Sequence, residues 1–271
     1  GSSRFGSRRA AAAGRPAAMG AKVDCACNHS SVAADDDFTG RSGKYLYEDG
    51  TTYSGEWLGS LRHGRGVQAW PDGGRYDGQW ARGSAQGRGR YEHAGGDVYE
   101  GEWLADRAHG QGTYYHFDGS VYEGQFVDDQ QEGEGVETWP DGAKFQGQYK
   151  EGVKHGRGLF SWADGSSYDG EFVQNDMHGS GYYRWSGGRE HRGQWARNRM
   201  HGWGVFSWND GRTYQGEYVE DEKDGRGTFS WPDGRVYDGQ WKNGLQHGAG
   251  TYITAEGEKQ TGVWVEGVRV T

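Results

Sequence analysis

One period of 23 residues runs through most of this chain and limits it to a single kind of architecture. From Tyr53, steps of 23 land on Tyr76, Tyr99, Tyr122, Phe145, Tyr168, His191, Tyr214 and Tyr237. A glycine follows two residues after each, from Gly55 to Gly239. Three further glycine columns hold without exception, beginning at Gly64, Gly66 and Gly73 and ending at Gly248, Gly250 and Gly257. A fixed period of this size builds an array in which each unit packs on its neighbours, not a domain with one unique core.

Nine complete repeats account for 36 of the 52 glycines, so the glycine excess is ordered punctuation. Gly43 to Gly50 supplies half of a preceding repeat, and Gln260-Thr261-Gly262-Val263-Trp264 half of a following one. Atypical terminal repeats are what capping requires. The expected organisation is a leader over residues 1–39, without internal order, and an array over 40–271. The apolar fraction is 32% while 14% is aromatic, so burial must come from Trp, Tyr and Phe instead of aliphatic side chains. The formal net charge of −9 argues against nucleic acid, whose phosphates are bound by Lys and Arg. No run of about 18 apolar residues is present to form a membrane-spanning helix.

Within a repeat such as Tyr53-Ser54-Gly55-Glu56-Trp57, aromatic and polar residues alternate, which is strand periodicity with the rings on one face. The central glycine lets those rings lie over bare backbone. Gly158-Leu159-Phe160-Ser161-Trp162 follows the same logic in a second strand, with Gly, Phe and Trp on one side. Asp-Gly in Trp70-Pro71-Asp72-Gly73 and its equivalents reads as a hairpin turn. The other connection, around Leu61-Arg62-His63-Gly64-Arg65-Gly66, reads as a longer glycine-bearing loop.

These motifs resemble the MORN repeat (membrane occupation and recognition nexus), written Tyr-x-Gly-Glu-Trp, then His-Gly-x-Gly, then Asp-Gly. Tyr99-Glu100-Gly101-Glu102-Trp103, His109-Gly110-Gln111-Gly112 and Asp118-Gly119 form a near-complete copy. Departures are local: His191 stands for the leading Tyr, Gln86, Glu132 and Asp224 for the His, and Gly95 and Gly187 for the Asp. The resemblance implies an all-β, elongated, single-layer antiparallel meander of 23-residue hairpin repeats, used as an interaction scaffold. By geometry alone, about 20 strands at about 4.8 Å give a ribbon on the order of 95 Å long. With no second layer, its aromatic face is expected to leave an exposed strip.

Chemistry finds little purchase in the columns. The histidines His63, His109, His155, His178, His201 and His247 recur two strands apart, about 9.5 Å, too far for the roughly 2.1 Å that zinc requires. A hydrogen-bonding role suits a column that also takes Gln, Glu and Asp. The column from Glu56 through Gln79 and Glu102 to Gln240 mixes Glu with Gln, and an amide is no general base. It reads as a solvated outer face. Gly-x-Gly runs such as Gly64-Arg65-Gly66 do not lead into a helix and so cradle no phosphate. No cofactor, metal or enzymatic activity is expected.

The strongest binding candidates are the rings Trp57, Trp80, Trp103, Phe126, Tyr149, Phe172, Trp195, Tyr218 and Trp241, read partly as structural and partly as a partner groove. The resemblance implies a helix or extended protein segment lying there, with self-association also open, at a cytoskeletal structure (cilium or cortex) or a membrane contact. Alternatives are a phosphoinositide-binding module, disfavoured by the acidic array, and a regulatory region of a larger enzyme. In the leader, Met19-Gly20 followed by Cys25 and Cys27 resembles a dual acylation signal at Gly20 and the two cysteines, with Asp24 where Ser or Thr is preferred. Without disulfide potential in the array, a cytoplasmic setting is expected.

Overall fold

The computed structural model describes residues 42–271. Gly20, Cys25 and Cys27, and the whole of the leader, lie outside the described residues. The described chain is all-β: twenty-one strands and no helix. It falls into two compact units, one ending at Val153 and the other Lys154–Thr271. In each unit successive strands pair antiparallel in chain order, which is the expected meander.

The two kinds of connection are the reverse of the sequence reading. Leu61–Ala69 is a nine-residue strand, not a loop. It joins the preceding strand Thr52–Leu58 by a two-residue turn at Gly59-Ser60, and equivalent turns hold Asp128-Asp129 (φ 49° and 70°) and Arg197-Asn198 (φ 49° and 65°). Two consecutive positive φ values give the turn whose twist matches a strand pair, and Asn, Asp and Gly tolerate it. The Asp-Gly turn is the wider one: Trp70 N–H donates to Gly74 O across 2.9 Å, and Gly73 N–H to Trp70 O across 3.1 Å. Asp72 closes it by accepting from Gly74 N–H at 2.8 Å.

The loop-like glycines of His63-Gly64-Arg65-Gly66 mark a β-bulge. Pairing runs Gly55↔Gly66 and then jumps to Glu56↔His63. Gly64 takes φ 62°, which places it in the left-handed region that a bulge residue needs. The bulge recurs between Gly101 and Glu102, Gly124 and Gln125, and Gly170 and Glu171.

A bulge strands a carbonyl, and the leading tyrosine supplies its donor. Tyr53 Oη donates to Glu56 O at 2.9 Å, Tyr99 to Glu102 O at 2.9 Å, and Tyr214 to Glu217 O at 3.0 Å. To reach it the phenol lies flat across the paired glycines: a Cβ on Gly55 would meet Gly66 Cα, and one on Gly66 would sit 2.5 Å from Tyr53 Cζ. Burial pushes these phenols well above their usual range, so they remain donors.

Candidate protein-docking face

Each inner tyrosine meets the aromatic four residues later and the one a repeat further on. In residues 42–153 the order is Trp57, Tyr53, Trp80, Tyr76, Trp103, Tyr99, Phe126, Tyr122, Tyr149, Phe145. All contacts are edge-to-face, with centroids 4.9–5.5 Å apart. From Phe172 to Trp264 the second unit repeats the zigzag at 5.1–5.6 Å. Each such pair contributes about 0.5–1.5 kcal/mol beyond its buried area. Several indoles also donate to a strand carbonyl, as Trp80 Nε1 does to Gly66 O at 3.0 Å and Trp241 Nε1 to Gly227 O at 2.9 Å.

This arrangement corrects the expected exposed strip. Trp57, Trp80, Trp103, Phe126, Tyr149, Phe172, Trp195, Tyr218 and Trp241 are 2–7% exposed. They are sealed by one another and by the flat-lying tyrosines, with no second sheet or helix over them among the described residues. Edge-to-face packing lets a single layer close its own core, which alternation of residues does not reveal.

The exposed aromatic surface lies one column further out on the same face. Phe160, Tyr183, Phe206 and Phe229 are buried, but Trp162, Trp185, Trp208 and Trp231 at the wide turns are only half-buried. Their rings form a staircase: Phe160–Trp162 4.5 Å, Trp162–Tyr183 5.1 Å, Tyr183–Trp185 4.3 Å, Trp185–Phe206 5.3 Å, Phe206–Trp208 4.5 Å. It continues through Trp208–Phe229 at 5.4 Å and Phe229–Trp231 at 4.5 Å. Sequence reasoning treated Trp70 and its equivalents as turn markers. Their own 23-residue recurrence, on the side that Phe160 and Trp162 share, was the available signal.

Cations accompany this staircase. Arg189, Arg212 and Arg235 lie over Trp185, Trp208 and Trp231 at 5.5, 5.5 and 5.3 Å from the ring centres. The Lys223 ammonium sits among Trp241 (4.8 Å), Phe229 (5.1 Å), Tyr214 (5.5 Å) and Trp208 (5.7 Å). Burial pulls this amine down to about 8, and the nearby Arg212 charge acts the same way.

The polar columns on the opposite face hold the framework. Glu56 Oε1 accepts from Arg65 N–H at 2.9 Å, Gln79 Oε1 from Arg88 N–H at 2.7 Å, and Gln194 Oε1 from Trp203 N–H at 2.8 Å. The column is exposed, yet it buttresses the bulge and is not merely solvated. An acceptor oxygen suffices there, which explains why Glu and Gln interchange. In the histidine column His63 Nδ1, Gln86 Oε1 and Glu132 Oε2 each accept from the backbone of the next tight turn, at 3.4, 3.4 and 2.9 Å. No group of three or more His, Cys, Asp or Glu is placed to hold a metal among the described residues.

Two inner tiles lack the phenol, Phe145 and His191, and His191 is the polar one. It is fully buried, its two ring nitrogens find no hydrogen-bond partner, and burial pulls it down to about 4. It keeps the edge-to-face contacts, 5.2 Å to Trp195 and 5.2 Å to Tyr218, but forms no bond to the bulge.

One comparison with known proteins, the match to a repeat family, agrees with this geometry. The MORN repeat family matches nine consecutive segments, 53–75, 76–98, 99–121, 122–144, 145–167, 168–188, 191–211, 214–234 and 237–259. The chain belongs to the MORN-repeat family and is a repeat scaffold of the binding-protein class. Among solved structures it is similar to the TCP10 domain of Danio rerio CPAP in complex with a peptide of Danio rerio STIL. That match has 13% identity and a TM-score of 0.43, covering 82% of this chain and 99% of that one. It is also similar to the SAS-4 (dCPAP) TCP domain of Drosophila melanogaster in complex with a proline rich motif of Ana2 (dSTIL). There identity is 13% and the TM-score 0.36, covering 66% and 90%. Likenesses this loose transfer nothing to this chain. The search of curated proteins finds no match.

Proposed function

We propose that this chain is a non-enzymatic scaffold that docks protein segments along the outer edge of its ring-bearing face. One observation carries the reading: a row of half-buried indoles with cations beside them, on a face whose inner rings already complete the core. Half-buried Trp and Arg together are the residue types that dominate binding energy at interfaces. The non-enzymatic part is supported by the acid and amide columns, whose oxygens are engaged in holding bulges and turns. A place at a cytoskeletal structure, cilium or cell cortex, or at a membrane contact, is proposed from family membership alone.

The test exchanges the outer indoles for the residue the array itself uses at that column, as at His93 and His116. Trp185→His with Trp208→His is expected to remove co-purifying proteins from full-length bait while the far-ultraviolet spectrum stays unchanged. Undiminished recovery of the same proteins overturns the reading.

A further inference from the structure

The outer indole row has a repeat distance and a charge that together specify an occupant. Equivalent positions in successive repeats are two strands apart, about 9.6 Å. A polyproline II segment advances about 3.1 Å per residue and returns to the same face every three residues, about 9.3 Å. An α-helix returns to one face every seven residues, about 10.5 Å. Over the three intervals that separate four indoles, the polyproline segment drifts by about 1 Å and the helix by about 3 Å. An extended strand, at about 6.7 Å per same-face pair, misses single intervals and comes back into step only at every second indole, three pairs spanning about 20 Å against about 19 Å.

Charge narrows the choice further. Within about 6 Å of the ring centres of Trp185, Trp208 and Trp231 stand the cations Arg189, Arg212, Arg235 and Lys223, and the wide turns add two carboxylates, Asp210 and Asp233. Asp210 pairs with Arg212 at 2.7 Å and Asp233 with Arg235 at 2.8 Å. At Arg189 the turn carries Gly187 in place of the aspartate, which leaves this guanidinium's charge unbalanced by its own turn. Lys223 is surrounded by rings. The row therefore favours an anionic segment. Polyproline II also bonds none of its carbonyls internally, so arginine N–H groups set beside the indoles can serve them.

We infer that the indole row of Lys154–Thr271 is a docking rail for a proline-rich protein segment in polyproline II conformation that carries an acidic residue every third position. Prolines seat against Trp185, Trp208 and Trp231, and the acidic side chains face Arg189 and Lys223. This rests on the scaffold reading above and names the class of partner for that same face.

The probe is a fluorescein-labelled twelve-residue peptide, four Pro-Pro-Glu units, titrated with the full chain and followed by anisotropy. Saturable binding is expected, at least ten-fold weaker for four Pro-Pro-Lys units. Trp185→His with Trp208→His is expected to weaken it at least ten-fold, and Arg189→Gln about three-fold. Trp70→His, in the other unit, leaves it unchanged, and a thermal melt confirms that each variant folds. Absence of saturable binding, equal binding of the lysine peptide, or indifference to the double substitution overturns the proposal. So does tighter binding of an acidic amphipathic helical peptide of equal length. If Pro-Pro-Glu fails while the double variant still loses its co-purifying proteins, the rail falls and the scaffold stands. If both measurements fail, both fall.

Discussion

Residues 42–153 and residues 154–271 share their inner rings and part company at the outer column. In the first unit the outer pairs are Gln68 with Trp70, Tyr91 with His93, Tyr114 with His116, and Glu137 with Trp139. In the second they are Phe160 with Trp162, Tyr183 with Trp185, Phe206 with Trp208, and Phe229 with Trp231. Polar groups in the first unit are spent internally: Asp97 accepts from Tyr114 Oη at 3.0 Å and from Phe117 N–H at 2.6 Å. At the same turn position the second unit places Arg189, Arg212 and Arg235 beside indoles. Charge diverges as well, with 10 basic against 19 acidic side chains in 42–153 and 14 against 16 in 154–271. The inner columns specify the fold and keep a ring at every repeat. The outer column is free to vary, and chemical individuality collects there.

That comparison breaks most directly if the inner framework is not equivalent in the two units. A Cβ on Gly89 would stand 2.5 and 2.6 Å from Tyr76 Cζ and Cε2, and one on Gly227 equally close to Tyr214. Neither ring can swing aside, because both are fully buried and hydrogen-bonded at their tips. Gly89→Ala and Gly227→Ala are therefore each expected to cost more than about 3 kcal/mol. Urea unfolding of the two variants measures this. Tolerance in one unit and not the other would show that the shared tiling is not what holds both.

His191 sharpens the comparison inside the second unit, where one inner tile lacks the phenol. Its ionisation is depressed to about 4 by burial, below the ordinary 6.5 of an unfolded chain. Stability is thus complete above pH 6.5 and is lost as pH falls toward 4, by about 3 kcal/mol at pH 4. His191→Tyr is expected to abolish that component and to raise stability at pH 7 by about 1–2 kcal/mol, through a bond to Gln194 O equivalent to that of Tyr214 to Glu217 O. Calorimetric melts of both proteins between pH 7 and pH 4.5 decide it. Parallel curves would place the acid sensitivity elsewhere.

The fold was largely legible because period, alternation and turn residues are all local signals. Tyr53, Gly55 and Trp57 declared their common face, and Asp72-Gly73 its turn. What stayed hidden depends on atoms meeting across strands. Nothing local in Gly64-Arg65-Gly66 distinguishes a loop from a bulged strand, since both need a positive φ. The Glu56 column looked solvated because its bond to Arg65 N–H exists only after the bulge forms. Trp103 resembled a groove residue because its cover is Tyr76 and Tyr99, rings whose tilt no linear pattern records. The rings read as a groove are accordingly the sealed column, and the half-buried indoles lie one column outward on the same face.

The smallest effect concerns the column beside the inner indoles, where both units place a cation and treat it differently. Arg62, in the first unit, lies 4.3 Å from the Trp80 ring centre and donates to Gly83 O at 2.5 Å and to the Gln68 side chain. Lys223, in the second, is enclosed by rings, and burial together with the nearby Arg212 charge depresses its amine to about 8. Because its folded value lies below the unfolded 10.5, stability is complete above pH 10.5 and is lost as pH falls to 8. Desolvation then costs about 3 kcal/mol, offset by about 2 kcal/mol of attraction to the rings. Met177 and Met200 occupy the same column, so Lys223→Met fits the site. The variant is expected to be about 1 kcal/mol more stable than the parent at pH 7, with the gap closing between pH 8 and pH 10.5 in urea titrations. A destabilised variant at pH 7 would mean that the rings win over desolvation. A gain in stability accompanied by weaker binding of the Pro-Pro-Glu peptide would instead show the charge kept at an energetic cost for docking, which the first unit, with Arg62 fully engaged, does not bear.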